Sequence, residues 1–235
     1  MVQTIDWTAV EAGLRARGHG PLGKLLSPGE CAQVSAMYDA PDHFRSRVQM
    51  QQFRFGRGEY QYFANPLPSI VSELRSGLYA SLAPIASRWN HDLGNAVEFP
   101  VALPEFIETC HEAGQTRPTP LLLRYREGDF NCLHQDLYGD IVFPFQVLVA
   151  LSQSGVDFEG GELILVEQQP RAQSVGHVIR LQQGEGVAIT TRYRPAKGAR
   201  GFYRTNIRHG VSVVSSGERF TLGLIFHDAK SAPPG

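Results

Sequence analysis

The sequence predicts a mainly β fold, a sandwich or barrel, supported by helices in its N-terminal half. Two observations indicate this class. After about residue 120, short apolar runs alternate with glycine and proline, and no helical periodicity separates them. Before residue 115, helix-capping residues and apolar residues at helical spacing recur. We therefore expect one domain over residues 1–235, with mainly helical support in 1–115, a β core in 116–228 and a tail in 229–235.

Three helices are expected in the N-terminal part. Asp6 can cap a short first helix. Ser27 and Glu30 form a capping box, which predicts a second helix that continues to about Tyr38. Between residues 68 and 93 apolar residues recur at helical spacing, so one long or broken helix should lie there. No internal repeat and no low-complexity linker divides the chain.

Seven strand-like runs follow the helical part. They lie at 121–125, 145–152, 162–167, 177–181, 186–191, 211–214 and 220–226. Short strands that follow one another without intervening helices favour a sandwich or barrel over a parallel α/β sheet. The segment DFEGGE at 157–162 is interpreted as a Gly-Gly turn with a structural role.

The composition is typical of a globular protein with a sizeable core, since 42% of the residues are hydrophobic and 19% are charged. Three cysteines at unrelated spacings argue against a disulfide framework or a zinc site and favour a reducing cytoplasm. No signal-peptide pattern is present, and no apolar run reaches the roughly 18–20 residues that cross a membrane. We expect a cytoplasmic protein without a membrane partner.

Charge is segregated along the chain. Residues 44–63 carry a net +3 and residues 171–208 a net +7, so the rest carries −11 against a total of −1. Basic and aromatic residues interleave in both segments, as in surfaces that hold single-stranded nucleic acid. The alternative is a pair of solvated loops whose aromatics belong to the core. The candidate substrate contacts are Arg54, Arg57, Tyr60, Arg192, Arg194, Arg200, Tyr203 and Arg204.

A candidate metal site begins with His134 and Asp136 in the sequence NCLHQDLYG. In an extended strand both side chains project to one face, because successive side chains alternate. His209, 75 residues after His134, is the candidate third ligand. Two histidines and one carboxylate on one face of an octahedron leave three positions open, as in non-haem Fe(II) oxygenases. A lone His-x-Asp pair also occurs by chance in proteins that bind no metal.

Arg219, ten residues after His209, is the candidate anchor for the far carboxylate of a 2-oxoglutarate cosubstrate. A guanidinium is well shaped for a carboxylate, and the apolar residues around Arg219 argue against a surface arginine. Tyr125 and Thr221 could add hydrogen bonds to the same cosubstrate. A tyrosine of the core is the alternative for Tyr125.

The other histidines and the nearby cysteine are weaker candidates. Cys132 shares a strand face with His134, and we expect it to be a buried spectator. His227 lies beside Asp228 near the chain end and is expected at the surface. His19, His43, His91, His111 and His177 show no ligand spacing.

Six motifs resemble those of the Fe(II)/2-oxoglutarate dioxygenases, and most closely a bacterial 2-oxoglutarate/Fe(II) oxygenase family described as acting oxidatively on damaged DNA. They are FGRGEYQYF, GQTRPTPLLLRY, NCLHQDLYGD, DFEGGE, RGFYRTNIRHGVS and TLGLIFHDA. The likeness covers most of the chain from about Leu25. The short spacing from His209 to Arg219 and the helix-opening LLSPGEC are closer to the prolyl-hydroxylase branch than to the alkylated-DNA-repair dioxygenases.

The resemblance implies a double-stranded β-helix (a cupin-like jelly roll) over residues 116–228. It implies Fe(II) held by His134, Asp136 and His209, with 2-oxoglutarate anchored by Arg219 and O2 as the other cosubstrate. The implied reaction hydroxylates a substrate C–H bond and releases succinate and CO2. The expected substrate is alkylated nucleic acid, single-stranded or with its base flipped out. A protein (prolyl-type) hydroxylase, a small-molecule substrate and a non-catalytic metal-binding jelly roll are the alternatives.

Overall fold

The structure, a computed structural model, describes residues 5–230. Four α-helices lie within these residues: α1 (Trp7–Arg17), α2 (Pro28–Ala36), α3 (Ser69–Asp92) and α4 (Leu103–Glu112). Three short 3-10 helices span Met37–Asp39, Pro41–His43 and Met50–Phe53. The capping by Asp6 and the Ser27–Glu30 capping box are confirmed, as is the long third helix. Helix α4 was not predicted, and α2 ends two residues early because a 3-10 turn continues it.

Sixteen strands are formed in the described part of the chain. The first eight are β1 (His19–Lys24), β2 (Phe44–Gln49), β3 (Gly56–Arg57), β4 (Glu59–Phe63), β5 (Gln115–Arg117), β6 (Leu121–Arg126), β7 (Phe130–His134) and β8 (Phe145–Ala150). The others are β9 (Phe158–Gly160), β10 (Leu163–Gln168), β11 (Val175–Ile179), β12 (Glu185–Thr190), β13 (Tyr193–Gly198), β14 (Gly201–Val211), β15 (Val214–Ile225) and β16 (Ala229–Lys230). Strands β1 to β4 lie where mainly helical support was expected. β1 contains two glycines and a proline, and β3 is only two residues long. The arginines of β2 and the tyrosines of β4 were interpreted as part of a basic aromatic surface segment.

Two antiparallel sheets form the double-stranded β-helix that the sequence predicts. The large sheet has the order β1-β12-β8-β15-β6-β4-β2, and β9 pairs with β15. The small sheet has the order β11-β10-β14-β7-β3, and β13 pairs with β14 as a hairpin. Strands β2 and β4 extend one edge of the large sheet, while β3 pairs with β7 in the small sheet. The N-terminal half therefore contributes strands to both sheets as well as helices.

The large sheet separates the core from a cavity because its side chains alternate between two faces. On β8, Phe145 and Val147 join the main hydrophobic core, whereas Gln146 lines the cavity. On β15, Leu222 packs into the same core, whereas Thr221 lines the cavity. One set of strands thus supplies both the packing surface for the helices and the inner wall of the cavity.

Helix α3 covers the core face of the large sheet. Trp89 packs against Phe145 with ring centroids 5.0 Å apart, and Tyr79 packs against Phe143 at 5.1 Å. Burying aromatic side chains of this size supplies much of the folding free energy of a domain. No helix in residues 5–230 is both long and apolar enough to cross a membrane.

The end of β15 is tied to α3 by a buried ion pair. Arg75 on α3 donates to the backbone carbonyls of Ile225 and Phe226 and lies 3.1 Å from the carboxylate of Asp228. His227, expected at the surface, is fully buried, so that expectation is wrong. The sequence around His227 gave no sign that Arg75 of α3 would bring a buried positive charge to this segment.

The tail prediction for residues 229–235 is wrong for its first two residues. Ala229 and Lys230 form β16, which pairs with β5, and the backbone amide of Lys230 donates to the carbonyl of Tyr138 at 3.0 Å. Residues 231–235 lie outside the described residues.

Candidate active site

The pairing of β7 with β14 brings two of the predicted ligands together. His134 and His209 are direct partners in this antiparallel ladder, so their side chains leave the same face of the sheet. Strand β7 ends at His134, and Asp136 follows two residues later. Nε2 of His209 lies 3.2 Å from Oδ2 of Asp136, and Nε2 of His134 lies 3.5 Å from Oδ1. One potential ligand atom from each of the three residues lies within 4.8 Å of the others.

These distances fit a shared divalent cation. Imidazole nitrogen and carboxylate oxygen bind such metals at about 2.0–2.2 Å, so two ligands at right angles lie about 3.0 Å apart. Nδ1 of His134 contacts the backbone carbonyl of Cys132 at 2.7 Å. This contact occupies one ring nitrogen and leaves Nε2 facing the other two residues, as metal-ligating histidines require. His209 differs, because its buried Nδ1 has no hydrogen-bond partner within residues 5–230.

The pKa shifts of Asp136 and His209 suit a metal, whereas that of His134 favours the protonated imidazole, which must lose its proton to bind one. Burial raises the pKa of Asp136, but hydrogen bonds and charges from both histidines outweigh it and hold the pKa well below the usual range. Burial lowers the pKa of His209, which keeps its imidazole neutral. Burial also lowers the pKa of His134, yet its hydrogen bond to Asp136 outweighs this and leaves the pKa raised. A metal ligand set needs a carboxylate and neutral imidazoles.

Two tyrosines that the sequence analysis missed hold Asp136 in place. The hydroxyl of Tyr138 donates to Oδ1 of Asp136 at 2.7 Å, and the hydroxyl of Tyr62 donates to that of Tyr138 at 3.1 Å. Carboxylates that bind metals are commonly oriented by such a hydrogen bond from a neighbouring residue. The tyrosine two residues after Asp136 was the available signal in the sequence.

A buried cation lies on the large-sheet side of the same cavity. Arg219 is 7% exposed, makes no ion pair within residues 5–230, and its Nη1 has no hydrogen-bond partner there. It lies directly across the ladder from Tyr125, and its Cζ is 5.5 Å from the centroid of that ring. Burial lowers the pKa of Arg219, but a guanidinium remains charged. An unpaired cation at this depth is costly unless an anion joins it.

Hydroxyl groups accompany this arginine. Oγ1 of Thr221 is buried without a partner in the described residues, and Thr221 lines the cavity with Arg219 and Tyr125. The hydroxyl of Tyr125 accepts a hydrogen bond from Asn131 at 3.4 Å. An orphaned guanidinium nitrogen and an orphaned hydroxyl facing one cavity fit a carboxylate ligand such as that of 2-oxoglutarate.

Gly161 makes room for the arginine. It has φ +61°, and a Cβ built on it would lie 3.1 Å from Cδ of Arg219 and 2.8 Å from Cγ2 of Val214. The Gly-Gly turn that looked purely structural in the sequence therefore also shapes the position of Arg219.

The cavity between the two sheets has a volume of about 170 Å³. Its wall is mostly apolar and is formed by Phe55, Tyr60, Leu121, Leu123, Tyr125, Asn131, His134, Gln135, Asp136, Tyr138, Gln146, Leu148, Leu163, His209, Gly210, Val211, Arg219 and Thr221. Gln146 is a polar residue of this wall that the sequence analysis missed, and its Nε2 is 3.2 Å from Nε2 of His209. A glutamine within the apolar run FQVLVA was the signal for it.

Gln135, which lies between His134 and Asp136, is hydrogen-bonded to the arginine-rich hairpin of β13 and β14 (Tyr193–Val211), called the basic hairpin below. Nε2 of Gln135 lies 2.7 Å from both Oδ1 of Asn206 and the carbonyl of Ile207. The base of the β13–β14 hairpin therefore adjoins the cavity. Its tip lies further away, since Arg204 is five residues from His209 and about 17 Å along an extended strand.

One proposed substrate contact on this hairpin is wrong. Arg194 is buried, lies 2.6 Å from Oε1 of Glu167 and donates to the carbonyl of Arg15 at 2.6 Å. Its guanidinium is therefore committed to the fold and does not face a substrate. The sequence could not show this, because Glu167 belongs to a strand 27 residues earlier.

The other hairpin candidates are exposed. Arg192, Arg200, Tyr203 and Arg204 lie on the surface. Arg192 lies over the Tyr193 ring at 4.4 Å, and Arg204 over the same ring at 5.6 Å. These four residues are absent from the cavity wall that residues 5–230 form.

The candidates between residues 54 and 60 occupy different positions. Tyr60 lines the cavity, and Arg54 is exposed. Arg57 is exposed but lies 3.3 Å from Asp129, so part of its charge is neutralised. Cys132 is exposed, and the expectation of a buried spectator is wrong.

Comparison with known proteins identifies the family. A family model described as "Oxygenase, catalysing oxidative methylation of damaged DNA" matches residues 58–229. The chain belongs to this Oxygenase-NA family. The chain is also similar to the uncharacterized protein Rv2227 of Mycobacterium tuberculosis (strain ATCC 25618 / H37Rv). The two are 49% identical over a match that covers 71% of this chain and 72% of that protein.

Solved structures share the fold of this Oxygenase-NA protein. A 2OG-Fe(II) oxygenase family oxidoreductase from Burkholderia pseudomallei has a TM-score of 0.56 at 17% identity, covering 96% of this chain and 93% of that one. A Pseudomonas putida prolyl-4-hydroxylase has a TM-score of 0.55 at 14% identity, covering 96% and 100%. The family description makes this chain an oxygenase, and the cluster of His134, Asp136 and His209 offers it a set of side chains suited to a metal ion.

Replacing Tyr138 by Phe is expected to weaken metal binding about 10-fold or more, because Asp136 loses the hydrogen bond that orients it. Titration with Co(II) in the absence of 2-oxoglutarate measures the dissociation constant. Tyr125→Phe is the matched control in the absence of 2-oxoglutarate, since Tyr125 lines the same cavity and its hydroxyl bonds to Asn131 and not to Asp136. Equal affinities for Y138F and wild type would contradict the orienting role.

Replacing Arg194 by Gln is expected to lower the free energy of unfolding by about 3 kcal/mol, because the carboxylate of Glu167 is left buried without its partner. Urea denaturation measures the change. Arg192→Gln, an exposed change on the same hairpin, should lie within about 0.5 kcal/mol of wild type. If R194Q were as stable as R192Q, the structural assignment of Arg194 would be wrong.

Proposed function

We propose that this oxygenase hydroxylates an alkyl group on a base of single-stranded or damaged nucleic acid, with Fe(II) held by His134, Asp136 and His209. The observation that carries the substrate assignment is the course of β14. This strand carries His209 at the cavity and Arg204 on the exposed basic hairpin. A polyanion bound along the hairpin would therefore lead to the cavity. The description of the Oxygenase-NA family supports the same substrate.

The residues of the large sheet take the cosubstrate. Arg219 donates to the far carboxylate of 2-oxoglutarate, and the hydroxyls of Thr221 and Tyr125 donate to the same ligand. This carboxylate neutralises the buried guanidinium of Arg219. Fe(II), with 2-oxoglutarate and O2, supplies the oxidative hydroxylation of a C–H bond, with succinate and CO2 as the co-products.

The remaining wall residues position the substrate and exclude water. The apolar side chains of Leu121, Leu123 and Leu148 keep the cavity dry, which strengthens the electrostatic contacts inside it. One C–H bond must lie beside the ligand residues for oxidation to be selective. A hydroxylated N-methyl group would then break down to formaldehyde and the unmodified base.

A protein side chain is the second candidate substrate. It is favoured by the apolar cavity wall, in which none of the basic hairpin residues described above takes part. The reaction products distinguish the two candidate substrates. Oxidation of a methylated oligonucleotide yields succinate and formaldehyde together, whereas hydroxylation of a peptide carbon yields succinate without formaldehyde.

Replacing Arg219 by Ala should weaken 2-oxoglutarate binding about 30-fold, which corresponds to the roughly 2 kcal/mol of a charged hydrogen bond. Fe(II) affinity should stay near that of wild type, whereas His134→Ala should lose both ligands. Anaerobic titration with Fe(II) and then 2-oxoglutarate measures each step. Arg126→Ala, an exposed arginine on β6, is the control. Unchanged 2-oxoglutarate binding by R219A would refute this role.

The basic hairpin should make oligonucleotide binding steeply dependent on salt. For single strands, log K falls with log[salt] by about 0.7 for each phosphate contact, so the double change Arg200→Gln and Arg204→Gln should reduce the slope by about 1.4. Lys24→Gln, on β1 of the other sheet, removes one positive charge outside the hairpin and should leave the slope unchanged. Fluorescence anisotropy with a short labelled oligonucleotide measures both. Absence of binding by wild type at low salt would favour a protein or small molecule.

A further inference from the structure

Two phenylalanines are exposed beside the cavity. Phe53 is 55% and Phe55 47% exposed, and their rings stack with centroids 5.6 Å apart at an interplanar angle of 19°. Phe55 also lines the cavity that contains the three candidate metal ligands. Large apolar side chains normally leave the solvent, and an exposed apolar cluster beside a polar site is typical of a binding surface. The aromatic pair, Phe53 with Phe55, therefore needs a partner to account for its position.

The backbone holds the aromatic pair at the cavity. The amide of Phe55 donates to the carbonyl of Met50 at 3.1 Å, and its carbonyl accepts from the amide of Cys132 at 2.8 Å. Cys132 belongs to β7, the strand that ends in His134. The aromatic pair is therefore fixed to the same strand as a candidate metal ligand.

Arg54 lies between the two phenylalanines in a strained conformation. Its φ is +60°, a left-handed geometry that is strained for a non-glycine residue. Such strain is concentrated at ligand clamps and functional sites. Arg54 is exposed and forms no ion pair in the described part of the chain. The tight turn thus carries an unneutralised cation at the residue between two phenylalanines whose exposed rings stack on each other.

We propose that the aromatic pair is a stacking platform for one unpaired base of a single-stranded nucleic acid, next to the base whose alkyl group enters the cavity. This inference rests on the proposed function and adds a recognition element to it. Two nearly parallel rings present flat π faces, and every base can stack on such a face. The charge of Arg54 complements the adjoining phosphates. A duplex would keep its bases stacked on each other and unavailable.

A scan with abasic oligonucleotides tests the platform. A single-stranded oligonucleotide with one central N-methylated base is prepared in versions that each lack one neighbouring base. Wild type should bind one of these versions about 10-fold more weakly, because base–aromatic stacking contributes about 1–3 kcal/mol per base. Anisotropy at constant salt measures each dissociation constant.

Phe53→Leu keeps an apolar side chain but removes the flat ring. This variant should bind the intact oligonucleotide about 10-fold more weakly and should show no further loss on the version to which wild type is sensitive. Val156→Ala is the control, because Val156 is also an exposed apolar side chain but lies outside both basic segments. It should retain the sensitivity to the missing base. The 2-oxoglutarate affinity of F53L verifies that its cavity is intact.

The outcomes separate this inference from the function it rests on. If wild type binds the oligonucleotide and neither the missing bases nor F53L changes its affinity, the platform is refuted while the nucleic-acid substrate stands. If F53L retains the full sensitivity of wild type to the missing base, the stacking site lies elsewhere and the platform is also refuted. If wild type does not bind the oligonucleotide at low salt, the proposed substrate itself fails.

Discussion

The register between β7 and β14 is the constraint on which the site depends. It places His134 opposite His209, although 75 residues of chain separate them. A shift by one residue would turn one imidazole to the opposite face of the sheet. Gly210 helps to fix the register, because a Cβ built on it would lie 2.6 Å from the carbonyl of Asn131. The hydrogen bonds of Gln135 to the base of the hairpin hold the turn between His134 and Asp136.

The large sheet meets two demands with one set of strands. Its outer face binds α3 through residues such as Phe145, and its inner face exposes Gln146 and Arg219 to the cavity. The polar side chains of the inner face would destabilise an ordinary sandwich core. The proposed metal and cosubstrate would give these side chains partners, so the cavity between the sheets would serve binding at a cost in packing.

The sequence predicted most of the fold and the centre of the site, and the reasons are local. Capping residues and helical spacing revealed three of the four described helices, and Arg219 was recognisable because it interrupts an apolar strand. The predicted roles of the metal and cosubstrate residues remain proposals. Two of the wrong expectations share a different cause, since each concerns a residue whose partner is distant in sequence. Arg194 is committed to Glu167, and His227 accepts a hydrogen bond from the backbone amide of Phe143.

Arg219 also links the cosubstrate to the persistence of the fold. Its guanidinium is enclosed without a counter-ion in the described chain, so the ligand-free barrel bears an electrostatic penalty that an incoming dicarboxylate removes. A molecule that binds the native but not the unfolded chain shifts the unfolding equilibrium in proportion to the logarithm of its concentration. With 2-oxoglutarate as the proposed ligand of Arg219, the concentration of this metabolite would therefore raise the free energy of unfolding of the enzyme.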